Sequence, residues 1–360
     1  MNLSDFDFSL PPELIAQEPA SPRDRSRLMI LDRKSGNVRH DRFGNLPGHI
    51  RADDTVVLND TKVRPVRLPG KKGSGGNIEV LLVRKVGGES SGPVSLPSPE
   101  GETGEWDCLI QNAGRLRPRT ALFFREEVRG EVVGRTADGF WRLRLRGKAG
   151  LEDTLCRIGY PPLPPYIRRR GREDLKEMDL DRYQTIFAQK PGAIAAPTAG
   201  LHFTEEVFEK IRLRRARVAF LTLHVGVGTF LPVKTDRVED HRLEAEAFEL
   251  SAETAAAINE AKESGGRVVA VGTTVVRTLE YLCDETGRVN PGAGRTGLFI
   301  LPGYGFRAVD AMVTNFHLPR STLLLLVSAF AGREKILAAY EEAVKERYRF
   351  YSYGDAMLIS

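Results

Sequence analysis

The sequence predicts an α/β (multidomain α+β) protein, a large α/β core domain with an inserted small β-barrel domain. Three observations lead there. Outside residues 66–158 the pattern runs strand, turn, helix. Inside them, short period-two stretches alternate with Gly, Pro and Ser turns and show no helical period. The charge divides at nearly the same place. Of 53 Lys+Arg and 48 Asp+Glu, the segment Lys62 to Arg172 holds 22 basic and 12 acidic residues, a local +10 that leaves −5 on the remainder. The expected domains are therefore residues 1–65 with 159–360 as the core, and 66–158 as the insert.

Taken in order, Val56 to Leu58 reads as the first core strand. In the insert, Asn77 to Val83, Trp106 to Ile110, Ala121 to Phe124, Gly130 to Val133 and Phe140 to Arg146 read as strands. The last alternates strictly, with Trp141, Leu143 and Leu145 on one face and Arg142, Arg144 and Arg146 on the other. Gly87 to Pro99 is rich in Gly, Ser and Pro and is expected to be a mobile loop. The Pro-rich Tyr160 to Tyr166 reads as a stiff linker that ends the insert. Back in the core, Thr204 caps a helix with acids in its first turn and arginines at its end. Val218 to Val225 is a strand, and Ser251 opens an alanine-rich helix closed by Gly265-Gly266. Val268 to Val271 is a strand, followed by a helix through Val276, Leu279 and Leu282. Ala311 to Thr314 is a strand, and Thr322 to Phe330 a buried helix.

Composition limits the function classes. The amino-terminal stretch carries acids where a signal peptide needs positive charge and an apolar run, and the longest apolar stretch, Leu323 to Ala331, is far short of the roughly 20 residues that span a bilayer. A cytoplasmic location without membrane contact is expected. Cys108, Cys156 and Cys283 are odd in number and far apart, which gives no disulfide framework and no zinc knuckle. His241, Glu244 and Glu246 are the nearest approach to a metal-ligand set, and a solvated face is the preferred reading, so no metal is assigned. No P-loop and no G-x-S-x-G occurs, and His224-Val-Gly-Val-Gly-Thr-Phe-Leu-Pro232 lacks the third glycine of a dinucleotide fingerprint. The basic segment points to a polyanionic partner.

Four strands run into small polar sequences: Asn59-Asp60-Thr61, His224-Val-Gly226-Val-Gly228-Thr229, Gly272-Thr273-Thr274 and Asn315-Phe-His317. Ligands of α/β sheets bind beyond the carboxyl ends of strands, where glycines admit a ligand to the backbone and helix N–H groups act as donors. Ala193 to Thr204, which contains His202, joins them. His224 shares a strand face with Thr222, opposite Leu221, Leu223 and Val225.

The segments Asn59-Asp-Thr-Lys-Val-Arg64, Pro161-Pro-Leu-Pro-Pro-Tyr-Ile167, Tyr183-Gln-Thr185 and Ala195-Ala-Pro-Thr-Ala-Gly-Leu-His-Phe-Thr204 are similar to signatures of one family. So are Thr222-Leu-His-Val-Gly-Val-Gly-Thr-Phe230, Ala270-Val-Gly-Thr-Thr274, Thr314-Asn-Phe-His-Leu-Pro319, Leu326-Val-Ser-Ala-Phe-Ala-Gly332 and Tyr348-Arg-Phe-Tyr-Ser-Tyr-Gly-Asp-Ala-Met357. Together they resemble the S-adenosylmethionine:tRNA ribosyltransferase-isomerase family of the queuosine pathway. The likeness runs through nearly the whole chain in order and weakens between about 84 and 150.

The resemblance implies a tRNA substrate whose anticodon wobble base is 7-aminomethyl-7-deazaguanine. The ribosyl moiety of S-adenosylmethionine is transferred to the aminomethyl group and rearranged to give epoxyqueuosine, and adenine and methionine leave. S-adenosylmethionine is thus a consumed co-substrate, no cofactor is implied, and the expected state is a monomer bound to the anticodon arm. The reaction needs a base for the ribose carbon beside the sulfonium. His224 and His317 are the candidates, with Asp60 and Glu246 for the amine or the sulfonium. Asn59, Thr198, Ala199, Gly200, His202, Gly226, Gly228, Thr229, Gly272, Thr273, Thr274 and Asn315 are expected to line the S-adenosylmethionine and base pocket. Lys62, Arg64, Arg142, Arg144 and Arg168 are expected on tRNA. The chain departs from the family at Asp240-His-Arg-Leu-Glu-Ala-Glu246, where Glu244 replaces a usual second histidine, so no primary catalytic role is placed there.

Two rivals remain from the sequence. A non-catalytic RNA-binding protein explains the charge but leaves the polar strand ends idle. An S-adenosylmethionine-dependent RNA methyltransferase shares the ligand but requires a Gly-rich loop after the first strand, followed by an acidic ribose-binding residue, and that pair is missing.

Overall fold

A computed structural model of the chain describes residues 1–87, 102–114, 116–148, 150–169, 171–230 and 235–360; of Glu173, Thr229 and Phe230 only the backbone is described. Residues 88–99 of the expected loop, and Arg170, lie outside the described residues. The chain divides into two compact units. The first is Met1–Val63, Pro164–Arg170 and Arg182–Ser360; the second is Arg64–Leu163 and Gly171–Asp181.

In the first unit the chain forms β1 (Arg27–Leu31), β2 (Val38–Arg42), β3 (Thr55–Asn59) and β4 (Thr61–Val63). The second unit supplies β5 (Arg67–Lys72), β6 (Asn77–Lys85), β7 (Glu102–Gln111), β8 (Ala121–Phe123), β9 (Arg129–Arg135), β10 (Trp141–Gly147) and helix α1 (Leu151–Ile158). Helix α2 (Lys176–Arg182) leads back to the first unit, which continues with β11 (Lys190–Ala193), α3 (Glu205–Leu213), β12 (Arg217–Leu223) and β13 (Glu246–Leu250). It ends with α4 (Ala252–Glu263), β14 (Val268–Val271), α5 (Thr273–Leu282), β15 (Gly292–Thr296), β16 (Ala311–Asn315), α6 (Thr322–Ala331), α7 (Arg333–Lys345) and β17 (Ala356–Ile359).

Nine strands form one sheet in the order β15-β13-β12-β3-β14-β16-β17-β1-β2. Its centre, β12, β3, β14 and β16, is parallel throughout. The continuous apolar runs of β3, β14 and β16 follow from this, because a parallel strand covered on both faces has no polar side. Alternate residues enter different cores. Val57, Ala270 and Met312 join Ile258, Val276 and Leu325 on one face. Val56, Val269 and Val313 join Val207, Phe208 and Ile211 on the other. Helix starts match the residues that predict them: Thr204 Oγ1 accepts the Val207 N–H and Ser251 Oγ the Thr254 N–H. The unexpected strands β1, β13 and β17 lie outboard of this parallel centre. No helix among the described residues is long and apolar enough to cross a membrane.

The second unit holds a closed six-stranded barrel, β10-β7-β6-β5-β8-β9. The expected alternation of β10 holds, with Leu143 and Leu145 fully buried beside Trp106, Cys108, Leu122 and Val132. Closure depends on β5, which sequence periodicity does not reveal because Pro69, Gly70, Lys71 and Lys72 interrupt it. Gly70 is required there, since a Cβ would stand 2.7 Å from the Phe124 ring. All three cysteines are free thiols.

Both tryptophans, Trp106 and Trp141, belong to this barrel, so intrinsic tryptophan fluorescence reads its unfolding. Leu143→Ala is expected to lower barrel stability by about 2–5 kcal/mol. The check is a lower urea midpoint in that fluorescence; an unchanged midpoint would show that the interior relaxes around the loss.

Candidate active site

The carboxyl ends of β12, β3, β14 and β16 lie along one edge of the parallel centre, and the polar turns foreseen there meet. Asn59, at the end of β3, is 1% exposed and joins them. Its Oδ1 accepts the N–H groups of Thr61 (3.1 Å) and Leu223 (3.0 Å). Its Nδ2 donates to the Leu223 carbonyl (2.9 Å) and Thr274 Oγ1 (3.3 Å). The N–H of Gly272 bonds the Val313 carbonyl at 2.8 Å, and its φ of 94° is a value that a side chain would strain. A Cβ on Gly272 would lie 3.8 Å from that of Ala199, so the start of α5 adjoins the 3₁₀ turn Thr198–His202. Gly200 is held by packing: a Cβ there would come within 2.8 Å of Phe187.

His224 follows β12 and is half-buried. Its Nδ1 is 2.8 Å from Thr61 Oγ1, and its ring covers Gly192, where a Cβ would come within 2.6 Å of Nδ1. Beneath it Thr222 Oγ1 donates to Asp60 Oδ1 at 2.6 Å. Burial lowers the His224 pKa below its ordinary value; nearby Asp60 and Glu249 oppose this, and Lys190 adds to it. Lys190 is itself paired with Glu249 at 2.7 Å. Asp60 makes no ion pair of its own among the described residues and lines one end of a groove of about 730 Å³ between β12 and α4. Of the predicted site residues, only Asp60 lines that groove among the described residues.

His202, at the end of the 3₁₀ turn Thr198–His202, and His317, two residues past β16, are both buried. His202 Nδ1 is 2.8 Å from Ser26 Oγ and its Nε2 is 3.3 Å from Asn315 Nδ2, while its ring stacks on Phe43 with centroids 4.9 Å apart. Asn315 Nδ2 also donates to the Tyr351 carbonyl at 3.0 Å, whereas Asn315 Oδ1 is buried with no hydrogen-bond partner among the described residues. His317 Nε2 is 2.8 Å from Thr314 Oγ1, and its backbone N–H donates to the Tyr340 hydroxyl at 3.0 Å. Burial depresses both imidazoles from 6.5 to about 3, aided at His202 by Arg349 and Arg23. Thr198, Gly226, Gly228 and Thr274 are half-exposed, Thr273 is buried, and the Thr229 side chain lies outside what is described.

Glu246 stands in a different setting from the one expected. It is 8% exposed, its Oε2 accepts from Arg277 Nη1 at 2.6 Å, and its Oε1 accepts the Gly226 N–H at 2.8 Å. Arg277 continues to the carbonyls of Leu298 and Thr296. A carboxylate already matched by a buried guanidinium has little net charge to offer a sulfonium, so Glu246 shapes the glycine turn. Glu244 is exposed, and among the described residues no three His, Cys, Asp or Glu side chains are arranged to hold a metal ion. Sequence reasoning missed Arg277, Ser26, Phe43 and Gly192. Only Arg277 had a signal, lying four and three residues after Thr273 and Thr274 on the same helix face.

The residues expected on tRNA divide. Lys62 and Arg168 are exposed and form no ion pair among the described residues. Arg64 pairs with Glu152, Arg142 with the buried Asp107 (2.9 Å), and Arg144 with Glu105 (2.7 Å) and Glu131 (3.8 Å). Burial alone would raise the Asp107 carboxyl, but hydrogen bonds from Arg142 and Arg84 outweigh it and hold it below its ordinary value.

The family model for "Queuosine biosynthesis protein" matches residues 3–359. The chain belongs to the queuosine biosynthesis protein family. It is 48% identical over 359 residues to a protein of Trichlorobacter lovleyi and 50% identical over 361 residues to one of Anaeromyxobacter, covering 100% and 99% of those proteins and 100% of this chain in each case. Both are named S-adenosylmethionine:tRNA ribosyltransferase-isomerase. The crystal structure of the S-adenosylmethionine tRNA ribosyltransferase from Thermotoga maritima is 37% identical and superposes with a TM-score of 0.54, covering 99% of this chain and 100% of that one.

The two buried histidines set a pH dependence. Each is neutral when folded and protonates near 6.5 when unfolded, so the unfolded chain binds more protons below that pH. The stability they contribute is complete above about pH 6.5 and is lost as pH falls toward about 3. The urea midpoint is expected to drop between about pH 6.5 and 4, and less steeply in a His202→Gln/His317→Gln variant; equal slopes would show that other groups control acid unfolding.

Proposed function

We propose that this protein is an S-adenosylmethionine:tRNA ribosyltransferase-isomerase. It moves the ribosyl moiety of S-adenosylmethionine onto 7-aminomethyl-7-deazaguanine at the tRNA wobble position and rearranges it to epoxyqueuosine, releasing adenine and methionine. The observation that carries this reading is the assembly of His224, Asn59, Gly272–Thr274, Asn315 and His202 at the carboxyl ends of parallel strands, in a chain that matches the family from end to end. S-adenosylmethionine is a consumed substrate and no resident cofactor is needed. We infer a monomer that works on tRNA in the cytoplasm.

The residues take the following parts. The free N–H groups at the start of α5, after Gly272, receive the methionyl carboxylate, with Thr273 and Thr274 beside it. Thr198, Ala199, Gly200, Gly226, Gly228 and Thr229 form the walls against which the nucleoside packs. Asn315 Oδ1, buried with no hydrogen-bond partner among the described residues, accepts an N–H of a purine amino group. His224 is the base for the ribose carbon next to the sulfonium: its lowered pKa keeps it unprotonated near neutrality. Asp60 then stabilises the imidazolium that forms, and Thr61 and Gly192 fix the ring. His317, also neutral, serves the departing adenine. Lys62 and Arg168 contact tRNA phosphates.

The test is incubation with ribose-labelled S-adenosylmethionine and tRNA bearing the aminomethyl base. Adenine release with ribosyl label entering tRNA is expected; methyl label entering RNA would overturn the reading, and binding without turnover would favour an RNA-binding module. His224→Ala is expected to lower kcat by at least about 100-fold, the usual range for a lost acid–base group. Gly192→Ala, which displaces the same ring, should lower kcat with tRNA affinity unchanged. Activity within a few-fold of wild type in His224→Ala would move the base to His317, whose alanine variant serves as the comparison.

A further inference from the structure

Most arginines of the barrel unit are committed to carboxylates of that same unit. Arg84 and Arg142 share Asp107, Arg144 bridges Glu105 and Glu131, Arg157 holds Glu126 and Lys148 holds Glu127. The net positive charge of the segment therefore gives little information about where a polyanion would sit. What remains after these pairs is local.

One row of residues crosses four strands of the barrel in register. Lys71 on β5 lies opposite Phe123 on β8, Phe123 opposite Arg129 on β9, and Arg129 opposite Arg146 on β10. All four are exposed, and Phe123 is 44% exposed, the one large hydrophobic side chain among the described residues of this unit left so open. Neither Lys71 nor Arg129 forms an ion pair or a side-chain hydrogen bond among the described residues, and the carboxylates of the adjacent turn, Glu126 and Glu127, are already held by Arg157 and Lys148. The Phe123 ring lies beside Gly73, where even a Cβ would stand 3.7 Å off, so no side chain at that position covers it. An uncovered aromatic on a strand loses the burial that usually justifies it, which costs stability in the free protein.

We propose that the Lys71–Phe123–Arg129 row is the RNA-contacting surface of the barrel, with Phe123 stacking on an unpaired base of the tRNA and the flanking cations Lys71 and Arg129 on its phosphates. Adjacent strands are about 4.8 Å apart, so Lys71 and Arg129 stand about 10 Å apart on either side of the ring, a spacing that puts one cation on each side of a stacked nucleotide. Unstacked bases on aromatic faces framed by Lys and Arg are the common way in which proteins hold single-stranded loops. The row replaces Arg142 and Arg144 as the barrel's contact. It rests on the ribosyl-transfer reading only for the identity of the RNA.

The experiment measures binding of the tRNA anticodon stem-loop as a function of KCl, alongside single-turnover adenine release with the full tRNA. Phe123→Ala is expected to weaken binding about ten-fold, with Phe123→Tyr restoring it. Lys71→Ala/Arg129→Ala is expected to lower the slope of log affinity against log salt by about two. Arg144→Ala should change affinity less than about three-fold. All these positions are exposed, and an unchanged urea midpoint confirms that the variants fold. Wild-type affinity and salt slope in the row variants, with the wild-type enzyme releasing adenine, would overturn this surface and leave the ribosyl-transfer reading standing. Failure of the wild type to release adenine would count against that reading, and the binding comparison would still decide the surface.

Discussion

The site depends on the side chain of Asn59. An amide offers two acceptor positions and two donors, and here all four are used, between the Thr61 and Leu223 N–H groups, the Leu223 carbonyl and Thr274 Oγ1. One residue thereby ties the end of β3 to the end of β12, to the turn that enters β4 and to the first turn of α5. Parallel strands leave their last backbone groups unpaired where connections diverge, and an unpaired buried group costs about 1–3 kcal/mol. Asn59 removes that cost at the carboxyl edge of the parallel strands. Asp60 and Thr61, the next two residues, inherit its position: one faces Thr222 and the other seats the His224 ring.

The parts of the fold visible in the sequence are those governed by local rules. Buried parallel strands read as apolar runs, Thr204 and Ser251 mark helix starts, and β10 alternates because one of its faces is inside the barrel. The elements that escaped are those that long-range contacts create. β5 has Pro, Gly and two lysines and becomes a strand because the barrel must close. Residues 171–181 group with the barrel unit although they follow the Pro-rich stretch, a placement that no composition signal marks. At the site, each polar strand end was legible as a turn with donors. The partners that give those residues their chemistry were not: Ser26 lies 176 residues from His202, and Arg277 31 residues from Glu246.

Charge shows the same limit. A count of +10 over Lys62 to Arg172 is correct as arithmetic and misleading as a map. The strict alternation that places Arg142, Arg144 and Arg146 outward says nothing of the strand alongside. Glu105 and Asp107 on β7 stand opposite Arg144 and Arg142, and cross-strand ion pairs neutralise the row. Only register separates arginines that hold the barrel together from cations left for a partner.

The electrostatics of the strand ends follow from that kind of pairing. Glu246 is matched by Arg277 and Lys190 by Glu249, so the fixed charges around the glycine turn cancel locally. Asp60 is the exception, a buried carboxylate whose partner is a hydroxyl. Its field opposes the desolvation that lowers the pKa of His224, and the two effects act at different times. At rest, desolvation dominates and the imidazole is neutral, as the proposed role of proton acceptor requires. In that proposed role, the nearby anion would stabilise the ring once it is charged, so the transition state would gain an interaction that the ground state lacks. Interactions that strengthen along the reaction coordinate are the ones that accelerate it. A fully paired Asp60 would forfeit that difference, so the proposed role of His224 is consistent with a buried acid held by Thr222 and by no cation among the described residues.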